Sequence, residues 1–237
     1  MSTFVLIHGS WHGAWCWYKV IPLLEQAGHP VIAPDLPSLG SDKTPISDVA
    51  PNTWAESVCQ ILDAEMDPVV LVGHSRGGMV ISQVAEARPR KVKALVYLTA
   101  FLLSDGESVS QVAQTDTASQ VGPNMIVDED QGYATIRGEA IRQAFYGCCG
   151  DEEVALARLL LQPEALAPLG SPIHVTPGNF GRIPRVYIEC LRDKAISPAM
   201  QKQMYGATSC ERVISMDRDH SPFLSAPVEL VGHLTSM

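Results

Sequence analysis

Ten consecutive residues constrain the fold more than any others: Val69-Val70-Leu71-Val72-Gly73-His74-Ser75-Arg76-Gly77-Gly78. The apolar run before Gly73 has no polar alternation, so it reads as a strand buried on both faces, as in a parallel sheet. After the glycines, Met79, Val80, Val84 and Ala87 recur at helical spacing and stop at Pro89. Between strand and helix lies G-x-S-x-G, a sharp turn whose strained backbone needs the small neighbours Gly73 and Gly77. Such a turn lifts the Ser75 hydroxyl above the C-terminal end of the strand. The following helix N-terminus favours negative charge developing nearby.

The same alternation runs through much of the chain. Phe4–Ile7, Val31–Ala33, Ala94–Leu98, Val186–Ile188 and Arg212–Ile214 are further buried-strand runs. Trp17, Val20, Ile21, Leu24 and Ala27 form a helical stripe ended by Gly28, and Pro22 within it predicts a kink or a late start. Thr53-Trp54-Ala55-Glu56 has the form of a capping box. These patterns predict an α/β fold with a mostly parallel, twisted sheet of about six strands flanked by helices. The pattern breaks near Phe101. Ser104–Asn124 is polar, helical patterns return over Tyr133–Tyr146 and from Asp151, as N-cap, to Leu161, and prolines punctuate the end. Residues 1–101 and 184–237 are therefore expected to form the core. Residues 102–183 are expected to form a helical cap, or lid, inserted before the last two strands.

Composition excludes several classes. With 237 residues, 46% hydrophobic and 18% charged, the chain is neither disordered nor fibrous. A net charge of −9 without a basic block argues against nucleic acid or an anionic membrane as partner. No apolar run is long enough to span a bilayer, and the N-terminus reads as a strand rather than a signal peptide. The six cysteines lack disulfide or metal spacing. They are expected to be reduced packing residues in a cytoplasmic protein, with a redox role for vicinal Cys148-Cys149 the lesser reading. Homodimerisation is left open.

A serine hydroxyl needs a base to take its proton. Among seven histidines, His220 lies in the loop after the last strand, at the sheet edge where the Ser75 turn lies. The orienting acid is assigned to Asp193, just past the strand at Val186–Ile188, with Asp105 as rival. Asp219, adjacent to His220, reads as a solvated carboxylate. Oxyanion donors are expected from the backbone N–H of Arg76 and, in the loop Ile7-His8-Gly9-Ser10-Trp11, from that of Ser10, with Trp11 second. The Arg76 side chain is read as lying on the helix surface in preference to meeting an acidic substrate group. Trp11, Phe145 and Ser221 are assigned to the substrate pocket. Tyr133 and Tyr146 are read as cap core in preference to pocket roof.

These residues resemble the α/β-hydrolase superfamily, and within it the branch of plant methylesterases and hydroxynitrile lyases. The likeness is carried by Phe4–Trp15, Trp17–His29, Ala33–Gly40, Gly73–Gly78, Arg185–Ile196 and Asp217–Phe223, and at the cap end by Glu153–Leu166. It implies a Ser75–Asp193–His220 triad, oxyanion amides at Ser10 and Arg76, a lidded apolar pocket, and no metal or organic cofactor. Two positions depart from the lyases. They carry threonine where this chain has Gly9, and lysine where it has Ser221. Without that lysine, a departing cyanide loses its cationic partner. The resemblance thus implies a serine carboxylesterase for small to medium hydrophobic esters. A hydroxynitrile lyase, a C–C hydrolase or a small-molecule receptor are the alternatives.

Overall fold

The structure is a computed structural model and describes residues 1–236. Among the described residues nine strands form: β1 Phe4–Ile7, β2 Val31–Ile32, β3 Val69–His74, β4 Val92–Leu98, β5 Met125–Asp128, β6 Tyr133–Ile136, β7 Glu164–Ala165, β8 Arg185–Cys190 and β9 Arg212–Met216. The helices are α1 Ile21–Gln26, α2 Thr53–Ala64, α3 Gly77–Ala87, α4 Val109–Thr115, α5 Ile141–Phe145, α6 Asp151–Leu160, α7 Leu166–Gly170, α8 Pro198–Ala207, α9 Pro222–Ser225 and α10 Pro227–Thr235. Six strands make one sheet in the order β2-β1-β3-β4-β8-β9, and every neighbouring pair is parallel. The α/β class expected from the sequence is what forms.

Alternate residues of each strand enter opposite layers, because side chains alternate across a sheet. Val5, Ile7, Leu71 and Tyr97 pack with Trp54 and Val58 of α2, Val80 and Val84 of α3, and Met200 of α8. Phe4, Leu6, Val70, Val72 and Val96 pack on the other face with Trp17, Leu24 of α1 and Leu230 of α10. The chain leaves β1 toward β2 on one side and returns to β3 on the other. The topological switch point therefore lies between β1 and β3, where a crevice opens beyond the strands' C-terminal ends. Since all six strands are parallel, the loops after β1, β3, β4, β8 and β9 share that edge.

Local details differ from expectation for physical reasons. α1 starts late, with Pro22 in its first turn, where a missing N–H costs no intrahelical bond. The Thr53 capping box does not form. Asn52 is the N-cap, and the Thr53 hydroxyl instead accepts the Ala50 N–H at 2.9 Å. A complete capping box appears at Ser108 and Gln111 of α4. For α6 the N-cap is Gly150, which leaves Asp151 in the first turn.

The segment between β4 and β8 is not purely helical. Residues from Tyr133 were expected to open a helix. They form β6, the centre of an antiparallel sheet in the order β5-β6-β7, and only Ile141–Phe145 is helical. The tight link from β5 to β6 passes through Gly132 at φ 71°, which folds the chain back as a hairpin. The hairpin is also anchored from outside, since the Trp11 indole N–H donates to the Ala134 carbonyl at 2.9 Å.

Candidate active site

Ser75 sits between β3 and α3 with φ 54°, in the left-handed region that a serine enters only when its surroundings hold it there. Close packing does so. A Cβ on Gly73 would lie 2.7 Å from the Gly77 carbonyl oxygen, and one on Gly77 would lie 2.8 Å from that of Ile7. Trp11 (φ 61°) and Thr99 (φ 39°), in the loops after β1 and β4, are also strained. Three neighbouring loops thus store strain at one sheet edge.

Asp193 and His220 meet at that edge. His220 Nδ1 donates to Asp193 Oδ2 at 2.6 Å, with both side chains buried. A carboxylate can only accept, so the imidazole proton is on Nδ1 and Nε2 is left as an acceptor. Asp193 Oδ1 accepts the N–H groups of Ala195 at 2.6 Å and Ile196 at 3.0 Å. Thr99 Oγ1 donates to Oδ2, and Gln201 braces the acid's loop by pairing with both backbone groups of Cys190. Sequence reasoning missed Thr99 and Gln201. Thr99 had a readable signal, since it directly follows β4. Asp105, the rival acid, is exposed and holds the Val175 N–H at 2.9 Å.

His74 ties the serine turn to the histidine loop. Its Nε2–H donates to the His220 carbonyl at 2.9 Å, and the two rings lie 4.6 Å apart. Phe145, 5.7 Å from the His220 ring, lines a cavity of about 170 Å³ together with Ser75, Ser10 and Trp11. Phe101, Leu166, Leu169 and Ile196 add to its mostly apolar wall, and α4 contributes Val109 and Ala113. The volume is below the roughly 300–1,000 Å³ of drug-sized sites.

Three assignments need correction. Arg76 is not on the surface but fully buried. Its Nε donates to Glu164 Oε1 at 2.8 Å, its Nη2 to the Gly9 carbonyl at 3.0 Å, and Trp54 lies under the guanidinium at 4.0 Å. An ion partner and an aromatic face on distant segments draw it inward. Asp219 is not solvated. It is buried, accepting the Cys148 N–H at 2.9 Å and the Ser225 hydroxyl at 3.0 Å, and burial raises its pKa. Ser221 is outside the cavity wall. It is buried as N-cap of α9, where its carbonyl accepts the N–H groups of Leu224 and Ser225. Tyr146 is also buried, against His12 Nε2. At Gly9, a Cβ would come within 2.8 Å of both Ser75 Cβ and His74 Nδ1, so a lyase-like threonine does not fit this loop as built.

Three buried histidines near the site are held neutral. Burial, with the Arg76 charge second, lowers His8 to about 3. Burial lowers His12 to about 4, partly opposed by the Ser10 carbonyl, and lowers His74 further, with His220 second. In the unfolded chain each titrates near 6.5. Their contribution to stability is therefore whole above pH 6.5 and is lost as pH falls toward the folded values. The slope is up to about 1.4 kcal/mol per pH unit for each histidine. Summed over the three rings this approaches about 6 kcal/mol at pH 5, so thermal melts should show Tm lower by about 10 °C or more at pH 5 than at pH 7.5. Equal values would mean that these rings are not buried neutral.

The chain matches the alpha/beta hydrolase family model over residues 4–233. Methylesterase 1 of Arabidopsis thaliana is 34% identical over 242 residues, covering 96% of this chain and 92% of that protein. Methylesterase 2 of the same plant is 32% identical over 249 residues, covering 99% and 95%. Among solved structures, a pyrethroid hydrolase from Sphingobium faniae JZ-2 superposes with a TM-score of 0.89 at 30% identity, covering 99% of this chain and 96% of that one. Architecture, serine turn and full-length likeness lead to one conclusion: the chain belongs to the alpha/beta hydrolase family, on the branch that holds the plant methylesterases.

Proposed function

We propose that this chain is a serine carboxylesterase that hydrolyses small to medium, neutral, hydrophobic esters through an acyl-enzyme on Ser75. The observation that carries the reading is the buried His220–Asp193 pair at the same sheet edge as a strained Ser75, beside an apolar cavity. The relatives' names, methylesterase and pyrethroid hydrolase, support ester chemistry.

In the proposed mechanism, Ser75 Oγ attacks the ester carbonyl as His220 Nε2 takes its proton. Asp193 keeps the other ring proton on Nδ1 and stabilises the imidazolium. The backbone N–H groups of Ser10 and Arg76 receive the oxyanion. His220 then gives its proton to the departing alcohol, and water hydrolyses the acyl-enzyme by the same steps in reverse order. Residues 102–183 act as the lid over the cavity, since α4, α5 and α7 supply Val109, Phe145 and Leu169 to its wall. The apolar wall and its size favour short acyl chains. Six free thiols suit a reducing compartment such as the cytoplasm.

The test is hydrolysis of p-nitrophenyl esters from acetate to decanoate, with a fluorophosphonate label read by peptide mass spectrometry. Turnover should peak at a short to medium chain, and one phosphonyl group should be found on Ser75. Turnover without label at Ser75, or no turnover by the folded protein, would overturn the reading.

A further inference from the structure

We propose that the Arg76 side chain is a positioning residue for the reaction: with His8 it holds and polarises the Gly9–Ser10 peptide, so that the Ser10 N–H is aimed and strengthened as an oxyanion donor. The inference rests on the reading of that N–H as a donor.

The Gly9 carbonyl and the Ser10 N–H belong to one planar peptide unit, so whatever holds the oxygen also sets the direction of the N–H. Two donors converge on that oxygen. Arg76 Nη2 reaches it at 3.0 Å and His8 Nδ1 at 3.0 Å. His8 Nε2 accepts the Leu36 N–H at 3.1 Å, which places the ring proton on Nδ1 and makes His8 a true donor to Gly9. A charge-assisted bond is about twice as strong as a neutral one. Drawing electron density toward the carbonyl oxygen also makes the N–H of the same amide a better donor, as in any hydrogen-bonded chain. Gly9 has no Cβ to resist rotation of this peptide and no room for one. The restraint therefore comes from side chains, that of His8 within the loop and that of Arg76 from outside it.

The guanidinium is itself fixed on three sides, by Glu164 Oε1, the Gly9 carbonyl and the Trp54 ring. Glu164 belongs to β7 of the inserted segment, so a buried ion pair joins this segment to the arginine that holds the oxyanion loop. One residue then serves both proposed donors: Arg76 offers its own backbone N–H and, through its side chain, orients that of Ser10.

Arg76→Met alone strips the buried Glu164 of its cation, so the test uses the double variant Arg76→Met/Glu164→Gln beside Arg76→Lys, with folding checked by circular dichroism. Substrates are p-nitrophenyl butyrate and its thionoester, whose developing sulfur anion is a poor acceptor. The inhibitor is a trifluoromethyl ketone of the same chain length, compared with its methyl ketone. The double variant should lose about 10- to 100-fold in kcat on the oxoester, with KM within about threefold, since a whole oxyanion donor is worth about 10²–10³. The oxoester to thionoester ratio should contract about tenfold, and inhibition by the trifluoromethyl ketone should weaken by a similar factor. Arg76→Lys, a point charge without the fork, should fall between the two. Equal losses on both esters with unchanged inhibition would mean a packing clamp only and overturn the proposal. If the wild type itself prefers neither the oxoester nor the trifluoromethyl ketone, the donor reading fails and takes the proposal with it. That failure shows in the wild type, the other only in the variants.

Discussion

Asp193→Asn should fold normally and lose about 10⁴-fold in kcat, the size seen when a triad acid becomes an amide. The geometry dictates the reason. Oδ1 faces two N–H donors, from Ala195 and Ile196, so an amide NH₂ cannot sit there. It must take the Oδ2 position and point at His220 Nδ1. The Thr99 hydroxyl, now a donor to Oδ2, can turn and accept from the amide. His220 is then forced to carry its proton on Nε2, where it cannot receive one from Ser75. Ser75→Ala removes the nucleophile itself and should fall lower, to about 10⁶ below wild type. Steady-state assays on p-nitrophenyl butyrate decide the matter. An Asp193→Asn variant within tenfold of wild type would show that His220 does not depend on this carboxylate. The hypothesis would fail outright if Ser75→Ala kept its turnover.

Much of this site could be read before any coordinates because its parts are local. The strand, the glycines and the helix around Ser75 are contiguous, and Asp193 and His220 each follow an apolar strand run. In an all-parallel sheet, loops after strands share one edge, so three distant residues could be brought together by topology alone. What could not be read depends on partners far along the chain. Glu164 lies 88 residues from Arg76 and occupies a two-residue strand without any periodic signal. Asp219 is buried by the Cys148 N–H, a backbone group that no side-chain pattern announces. β5 (Met125-Ile126-Val127-Asp128) and β6 (Tyr133-Ala134-Thr135-Ile136) are four residues each and neither alternates apolar with polar, so no strand pattern stands against the helical spacing that follows them. Ser221 sits beside His220 in sequence, but Pro222 opens α9 at once and turns the chain inward.

The second large effect is on stability. Arg76→Met should cost about 3–5 kcal/mol, the range for removing one partner of a buried ion pair. At about 2–4 °C per kcal/mol for a chain of this size, Tm should drop by roughly 6–20 °C. The loss comes less from the missing attraction than from Glu164, left ionised in a fully buried position. Burial already raises the Glu164 pKa, and the Arg76 charge is the main opposing influence. Without Arg76 the carboxyl rises further and takes up a proton more readily. The sign follows: the deficit of Arg76→Met relative to wild type is largest well above that raised pKa and shrinks as pH falls. Adding Glu164→Gln removes the stranded charge, so the double variant should recover most of the lost stability, and the mutant cycle should show coupling of at least about 1 kcal/mol. Additive single losses, or a deficit that does not change with pH, would mean that Arg76 is held by the Trp54 ring and the Gly9 carbonyl rather than by its ion pair. Recovery of stability without recovery of kcat in the same double variant would separate the two duties of this arginine, since the fold needs its charge balanced whereas the proposed chemistry needs its fork on the Gly9 carbonyl.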